Sequence, residues 1–303
     1  MHMEYRTMNT GARIPMEGFG VFRVPDKAEC RASVLEAIRT GYRLIDTAAV
    51  YTNEDAIGEA VREAISEGIC SREDLFITSK LWVTDMNSET TAEKAIDASL
   101  KKSGLEYFDL YLVHQALNDY FAGWRAMERA YADGRLKAIG VSNFYPNVLA
   151  NFCETVRVIP AVNQVELHPW YIQEGALRTM EDYGVIPEAW APLGGGRYEP
   201  ETDEMLQGIA AKHRKTVAQV LLRWNVQRGV VVIPKSTHAE RIHENFDIWN
   251  FTLNDDEMIR ISSLDMGYTG SRAKHFDPDF VRSCLGRDSR GCASGRNGRE
   301  SDR

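Results

Sequence analysis

The chain of 303 residues is 44% hydrophobic and 26% charged, which are globular values, and its net charge is −8. That balance excludes a dedicated nucleic-acid or membrane surface, and no window approaches about 18 continuous apolar residues, so no transmembrane helix is expected. Five scattered cysteines without a Cys-x-x-Cys exclude a disulfide framework or a zinc site. A reducing cytoplasm is the expected setting, and the opening residues lack the apolar core of a secretory signal.

Residues 5–17 read as a small hairpin around the Asn-Thr-Gly turn at Asn9 to Gly11. Gly18-Phe-Gly-Val-Phe22 is the next strand. It resembles a dinucleotide-binding glycine motif only superficially: position 23 is Arg, and no strand-turn-helix unit follows at the right spacing. From there helical patterns at 27–39, 54–67, 90–103, 120–132, 146–156, 173–183 and 216–228 alternate with strands at 42–46, 75–79, 108–113, 137–141, 161–165, 185–190 and 230–233. With 18–22 these make eight strands, and eight parallel βα units imply an α/β protein closed into a (β/α)8 TIM barrel. Helices at 239–246 and 254–264 are two additions outside it. No linker divides residues 1–285, which are expected to form one domain. Residues 286–303 are rich in Gly, Ser and Arg and are expected to be a flexible tail.

The chemistry gathers at the strand ends. Gly41-Tyr-Arg-Leu-Ile-Asp46 is a buried strand ending in an acid, and Tyr51 follows in the strand-to-helix loop. Later strands end in Lys80, in His114 and in Ser142-Asn143. Singly, each has an ordinary explanation: an acid that caps a turn, a packed tyrosine, a solvated lysine, a satisfied histidine. Together they fall past the C-terminal ends of apolar strands, where barrel enzymes keep their sites. The seven histidines are dispersed, without metal-ligand spacing, and no nucleophile elbow is present. A free tyrosine, with a pKa of about 10, is a poor acid at neutral pH. A Lys80 ammonium beside Tyr51 would lower that value, Asp46 would hold Lys80, and His114 would orient a carbonyl. This is a design for protonating an oxygen while a hydride arrives at carbon.

A site for the hydride donor can be read downstream. Asn143 and Gln164 are carboxamide-recognising groups at neighbouring strand ends, and Trp190 offers a stacking surface. The loop Ala191-Pro-Leu193-Gly194-Gly-Gly196 exposes backbone N–H groups suited to a pyrophosphate; a plain flexible loop is an equal alternative. Lys235, Ser236 and Arg241 cluster at a helix start and suit a phosphate monoester. Phe22, Trp82, Trp190 and Phe276 are candidates for an aromatic rim, or equally for packing. An apolar, open cleft of that kind suits small aldehydes, α-dicarbonyls and aromatic carbonyls.

Carried on these residues, the chain from residue 5 to about 285 resembles the aldo-keto reductases. Five ordered motifs match: Asp46 to Tyr51, with Lys80 and His114; Gly140-Val-Ser-Asn-Phe144; Asn163 to Pro169; Ile233 to Ser236; and Arg241 with Glu244 and Asn245. The resemblance implies an NADPH-dependent carbonyl reductase with Tyr51 as general acid. It implies that Ser142, Asn143 and Gln164 hold the nicotinamide carboxamide and that Trp190 stacks on the ring. It implies that Lys235, Ser236 and Arg241 grip the 2′-phosphate, with Glu244 and Asn245 at the adenine. Members are often monomers acting on small carbonyl compounds. Two departures stand out: Ala191 replaces a serine of many members, and Gln115-Ala116 follows His114 where a Trp-Pro pair is frequent. The short C-terminal segment resembles the compact bacterial branch of the 2,5-diketo-D-gluconate reductase-like and prostaglandin F synthase-like enzymes. The alternative is a cofactor-binding sensor or regulatory subunit with slow turnover, a type that the family also includes.

Overall fold

The fold comes from a computed structural model and is described for residues 3–286. Strands β1 (Tyr5–Thr7) and β2 (Arg13–Pro15) pair antiparallel as the expected hairpin. Gly11 turns it at φ 84°, a left-handed conformation that costs glycine little. The hairpin lies across the N-terminal ends of the barrel strands. There the Asn9 amide donates to the Pro160 carbonyl (3.0 Å) and the Arg6 guanidinium to that of Gly229.

Eight parallel strands follow in chain order: β3 (Gly18–Gly20), β4 (Leu44–Asp46), β5 (Phe76–Leu81), β6 (Leu110–Val113), β7 (Ile139–Ser142), β8 (Val162–Glu166), β9 (Ile186–Trp190) and β10 (Val231–Val232). A parallel bridge between Glu17 and Val232 closes the ring, with Val232 N donating to Met16 O (3.0 Å) and Gly20 N to Pro234 O (3.0 Å). Both faces of the strands are covered, so they read as unbroken apolar runs rather than alternating ones. One charged group is carried in with the closing segment. Glu17 is fully buried; one oxygen accepts from the Trp249 indole (3.1 Å), and the other has no partner among the described residues.

The outer helices are α1 (Lys27–Thr40), α2 (Glu54–Ser66), α3 (Glu89–Ser103), α4 (Tyr120–Ala132), α5 (Pro146–Cys153), α6 (Glu174–Asp182), α7 (Glu204–His213), α8 (Val217–Gln227), α9 (Ala239–Phe246), α10 (Asp255–Ser262) and α11 (Pro278–Leu285). Their starts are written in the chain: Asp26 accepts from Glu29 N, and capping boxes begin α3 at Ser88, α8 at Thr216 and α10 at Asn254. Helix α7 was not expected. Asp203 caps it by accepting from Leu206 N, but only Leu206, Ile209 and Ala210 are buried, too sparse a stripe to stand out. Helix α11 was also missed, although Asp277 caps it and Pro278 opens it.

The tail expected at 286–303 lies, apart from Gly286, outside the described residues. Among the described residues no helix is long and apolar enough to cross a membrane. Cys30, Cys70 and Cys153 are free thiols, whereas Cys284 is disulfide-bonded, which the scattered spacing did not foretell.

Candidate active site

Parallel register brings the expected strand ends to one level. Asp46 pairs with Thr78 and Lys80 with Leu112, so the side chains from β4 and β5 meet over the barrel mouth. The Lys80 ammonium is fully buried. It donates to both Asp46 oxygens (2.6 and 2.8 Å) and to the Thr47 carbonyl (2.9 Å), and lies 3.5 Å from the Tyr51 hydroxyl. Burial alone would discharge Lys80, but Asp46 and Tyr51 outweigh it and hold the amine above its ordinary value. For Tyr51 the expected direction is corrected. Burial pushes the phenol up, and Lys80 only partly offsets the push, so the hydroxyl stays protonated at neutral pH. His114 follows β6 with its ring 5.7 Å from that of Tyr51. Burial, Lys80 and His275 keep it well below its ordinary value, hence neutral, and its Nδ1 has no partner among the described residues.

A second layer of polar side chains lies behind the first. The Gln164 amide nitrogen donates to Asp46 Oδ2 (2.8 Å) and to Glu188 Oε1 (2.6 Å). Both hydrogens are thereby committed, and its carbonyl oxygen takes no hydrogen from the described residues. Glu188 is fully buried; burial and then Asp46 raise it to about 8, against the opposing pull of Lys80 and Gln164. Ser142 Oγ donates to Gln164 O (2.8 Å). Asn143 sits at φ 62°, a left-handed value that asparagine tolerates. Its amide donates to His114 O (3.1 Å) and Ser142 Oγ (3.0 Å), and its Oδ1 accepts from the Trp190 indole (2.9 Å). Trp190 is therefore fixed in rotation by a neighbour.

These groups open into a cleft of ≈ 650 Å³. Of the expected rim, Phe22 and Trp82 line it, with ring centroids 5.0 Å from Tyr51 and 5.0 Å from His114 respectively. Phe276 does not. It is 58% exposed and packs on Tyr145 and Tyr268, while Phe280 and His275 from the same segment face the cleft. Leu193, Gly195, Gly196 and Lys235 line the cleft. Gly194 does not: it is buried against Trp170 and Tyr198. Ser236 is turned back on its own loop, its hydroxyl accepting from His238 N (3.1 Å). Arg241 and Lys235 are exposed. Glu244 accepts from Thr216 Oγ1 (2.9 Å), and Asn245 is buried beside it on α9.

Residues absent from the sequence reading strap the C-terminal segment to the mouth. Buried Glu166 accepts from Ser271 Oγ (2.8 Å), Arg272 N (2.8 Å) and Ala273 N (3.2 Å). Arg197 donates to the Ser271 carbonyl (2.6 Å) and Arg272 to that of Gly195 (2.8 Å). Tyr145 and His275 share a 2.6 Å hydrogen bond. These links join groups far apart in sequence and carry no local signal.

The donor set fits a nicotinamide dinucleotide phosphate. Gln164 presents an uncommitted carbonyl in the cleft, Trp190 a tethered indole, Gly195 and Gly196 left-handed backbone at φ 61° and 77°, and Lys235 and Arg241 exposed positive charge.

The sequence profile of the aldo/keto reductase family matches residues 18–266. Glyoxal reductase of Bacillus subtilis is 44% identical over 259 residues, covering 85% of this chain and 91% of that protein. Morphine 6-dehydrogenase of Pseudomonas putida is 41% identical, over 86% of this chain and 90% of that protein. The crystal structure of a Bombyx mori aldo-keto reductase in complex with NADP superposes with a TM-score of 0.85 at 33% identity, covering 92% of this chain and 96% of that one. With the barrel and its strand-end motifs, these matches show that the chain belongs to the aldo/keto reductase family and is an oxidoreductase.

Proposed function

We propose that the protein reduces small aldehydes and α-dicarbonyls to alcohols with NADPH, Tyr51 supplying the proton. One observation carries the reading: a fully buried ammonium, held by two carboxylate oxygens and a carbonyl, lies 3.5 Å from the Tyr51 hydroxyl in an open cleft. The nucleotide supplies a hydride to the carbonyl carbon when bound. Tyr51 donates its hydroxyl proton to the carbonyl oxygen as negative charge develops there. Lys80 stabilises the phenolate left behind, and Asp46 keeps Lys80 charged and aimed. Neutral His114 gives a hydrogen bond to the same oxygen and so sets its distance from Tyr51. Trp190, Ser142, Asn143 and Gln164 form the wall for the nicotinamide, and Lys235 and Arg241 take the 2′-phosphate. Phe22 and Trp82 flank Tyr51 and His114, leaving an aromatic entrance with room for small carbonyl compounds.

The test follows NADPH absorbance with an α-ketoaldehyde, alongside NADH and Tyr51→Phe. The expected result is turnover that is faster with NADPH, and a loss of about 10²- to 10⁴-fold in kcat for Tyr51→Phe with nucleotide affinity unchanged. A Tyr51→Phe enzyme as fast as the wild type removes Tyr51 from the reaction. Nucleotide binding without turnover across a carbonyl panel overturns the reductase reading.

A further inference from the structure

Glu188 is a charged residue in the middle of a barrel strand. On β9 it pairs with Gln164 of β8 on one side and with Val231 of β10 on the other, and it points inward. It is fully buried, and its Oε2 has no hydrogen-bond partner among the described residues. An unpaired buried carboxyl oxygen is costly, and nothing in the packing of β9 requires an acid there. Its other oxygen takes one of the two amide hydrogens of Gln164, while Asp46 takes the second. Asp46 in turn grips Lys80, and Lys80 faces Tyr51. A continuous hydrogen-bonded path thus runs from Glu188 to the proton donor.

We propose that Glu188 is a positioning residue of the reaction: with Asp46 it locks the Gln164 amide so that its carbonyl faces the nicotinamide carboxamide. The inference rests on the reductase reading given above. The Asp46 carboxylate takes one amide hydrogen and the Glu188 Oε1 carbonyl accepts the other, which turns the Gln164 acceptor toward the cleft. An acceptor there suits the NH2 of a carboxamide. Removing Glu188 frees one amide hydrogen and leaves Asp46 alone to hold the side chain.

The protonation state follows from the surroundings. The charged or titratable groups facing Glu188 are Asp46 from β4, Lys80 from β5 and Tyr51 beyond them; β8 offers neutral Gln164, and β10 offers Val231. With Glu188 neutral, Asp46 and Lys80 cancel and the buried cluster carries no net charge. As Glu188 ionises near pH 8, its negative charge makes Tyr51 a weaker acid, so kcat falls with rising pH.

The experiment compares wild type, Glu188→Gln and Glu188→Ala in three readouts: NADPH affinity by tryptophan fluorescence without substrate, the pH profile of kcat, and thermal melting. Glu188→Ala is expected to weaken NADPH binding about tenfold, the scale of one lost hydrogen bond at the carboxamide. Glu188→Gln keeps an acceptor for Gln164 and cannot ionise. It is expected to bind NADPH within about twofold of wild type and to keep its kcat plateau beyond the pH where wild type declines. If Glu188→Ala does not fold, Glu188→Gln decides alone. Superimposable pH profiles of wild type and Glu188→Gln overturn the proposal, as does unchanged NADPH affinity in a folded Glu188→Ala protein. Tyr51→Phe is run in parallel. Failure of the wild type to turn over sinks the reductase reading itself, whereas active wild type, dead Tyr51→Phe and indifferent Glu188 variants sink only the role of Glu188.

Discussion

Arg241 stands exposed in the first turn of α9, and among the described residues no carboxylate contacts it. An exposed arginine at a helix start suits a phosphate. Arg241→Ala is expected to weaken NADPH by about tenfold or more, the scale of one charge-assisted hydrogen bond, and to leave NADH nearly unchanged. Titrating both nucleotides checks this, and an equal loss for both would remove Arg241 from the 2′-phosphate. At this scale the sequence was most legible where a polar residue ends an apolar run, as at Asp46, Lys80 and His114. Glu188 was not legible. It sits inside Ile186-Pro-Glu-Ala-Trp190, where strands buried on both faces give no alternation to mark an inward position. Only the register with Gln164 shows that it faces the site.

The closing element is the segment around Glu17 and β3. Burial holds the Glu17 carboxyl well above its usual value, and neighbouring Tyr42 and Trp249 offset only part of that. The folded state binds this proton more tightly than the unfolded chain, so the contribution to stability is full below the unfolded value of 4.5 and is lost as pH rises toward the folded value. Glu17→Gln cannot ionise, so its stability in urea, measured from pH 5 to pH 9, should gain steadily on wild type. A constant difference across that range would show that Glu17 does not titrate in the fold. The strands and most helices were readable here because caps and apolar runs agree. Helix α7 was not, since its three buried residues leave its other faces to solvent, and α11 was missed because the segment after residue 265 read as a short lead into the tail.

Across the whole molecule, the cleft is completed by chain that arrives last. Glu166 on β8 binds the 271–273 backbone and hydroxyl groups; against burial, the His168 hydrogen bond and then those from Arg272 and Ser271 keep its carboxyl below the usual range. Glu166→Ala should release that strap. Hydrogen exchange at residues 271–273 should quicken about tenfold or more, the scale of a lost hydrogen bond to a charged group, with weaker nucleotide retention. Unchanged protection would mean that Arg197 and Arg272 hold the segment alone. None of this pairing was visible in the sequence, because it links β8 and the Gly195 loop to a stretch with no periodic pattern.

The seam that closes the ring has a consequence in time. The hairpin at the chain's start is fastened to Gly229 by Arg6 across 223 residues. At about 5–20 residues per second, synthesis of that interval lasts roughly 10–45 s. Until then β3 has β4 to pair with but not β10, so the ring cannot close before the last strand has been made.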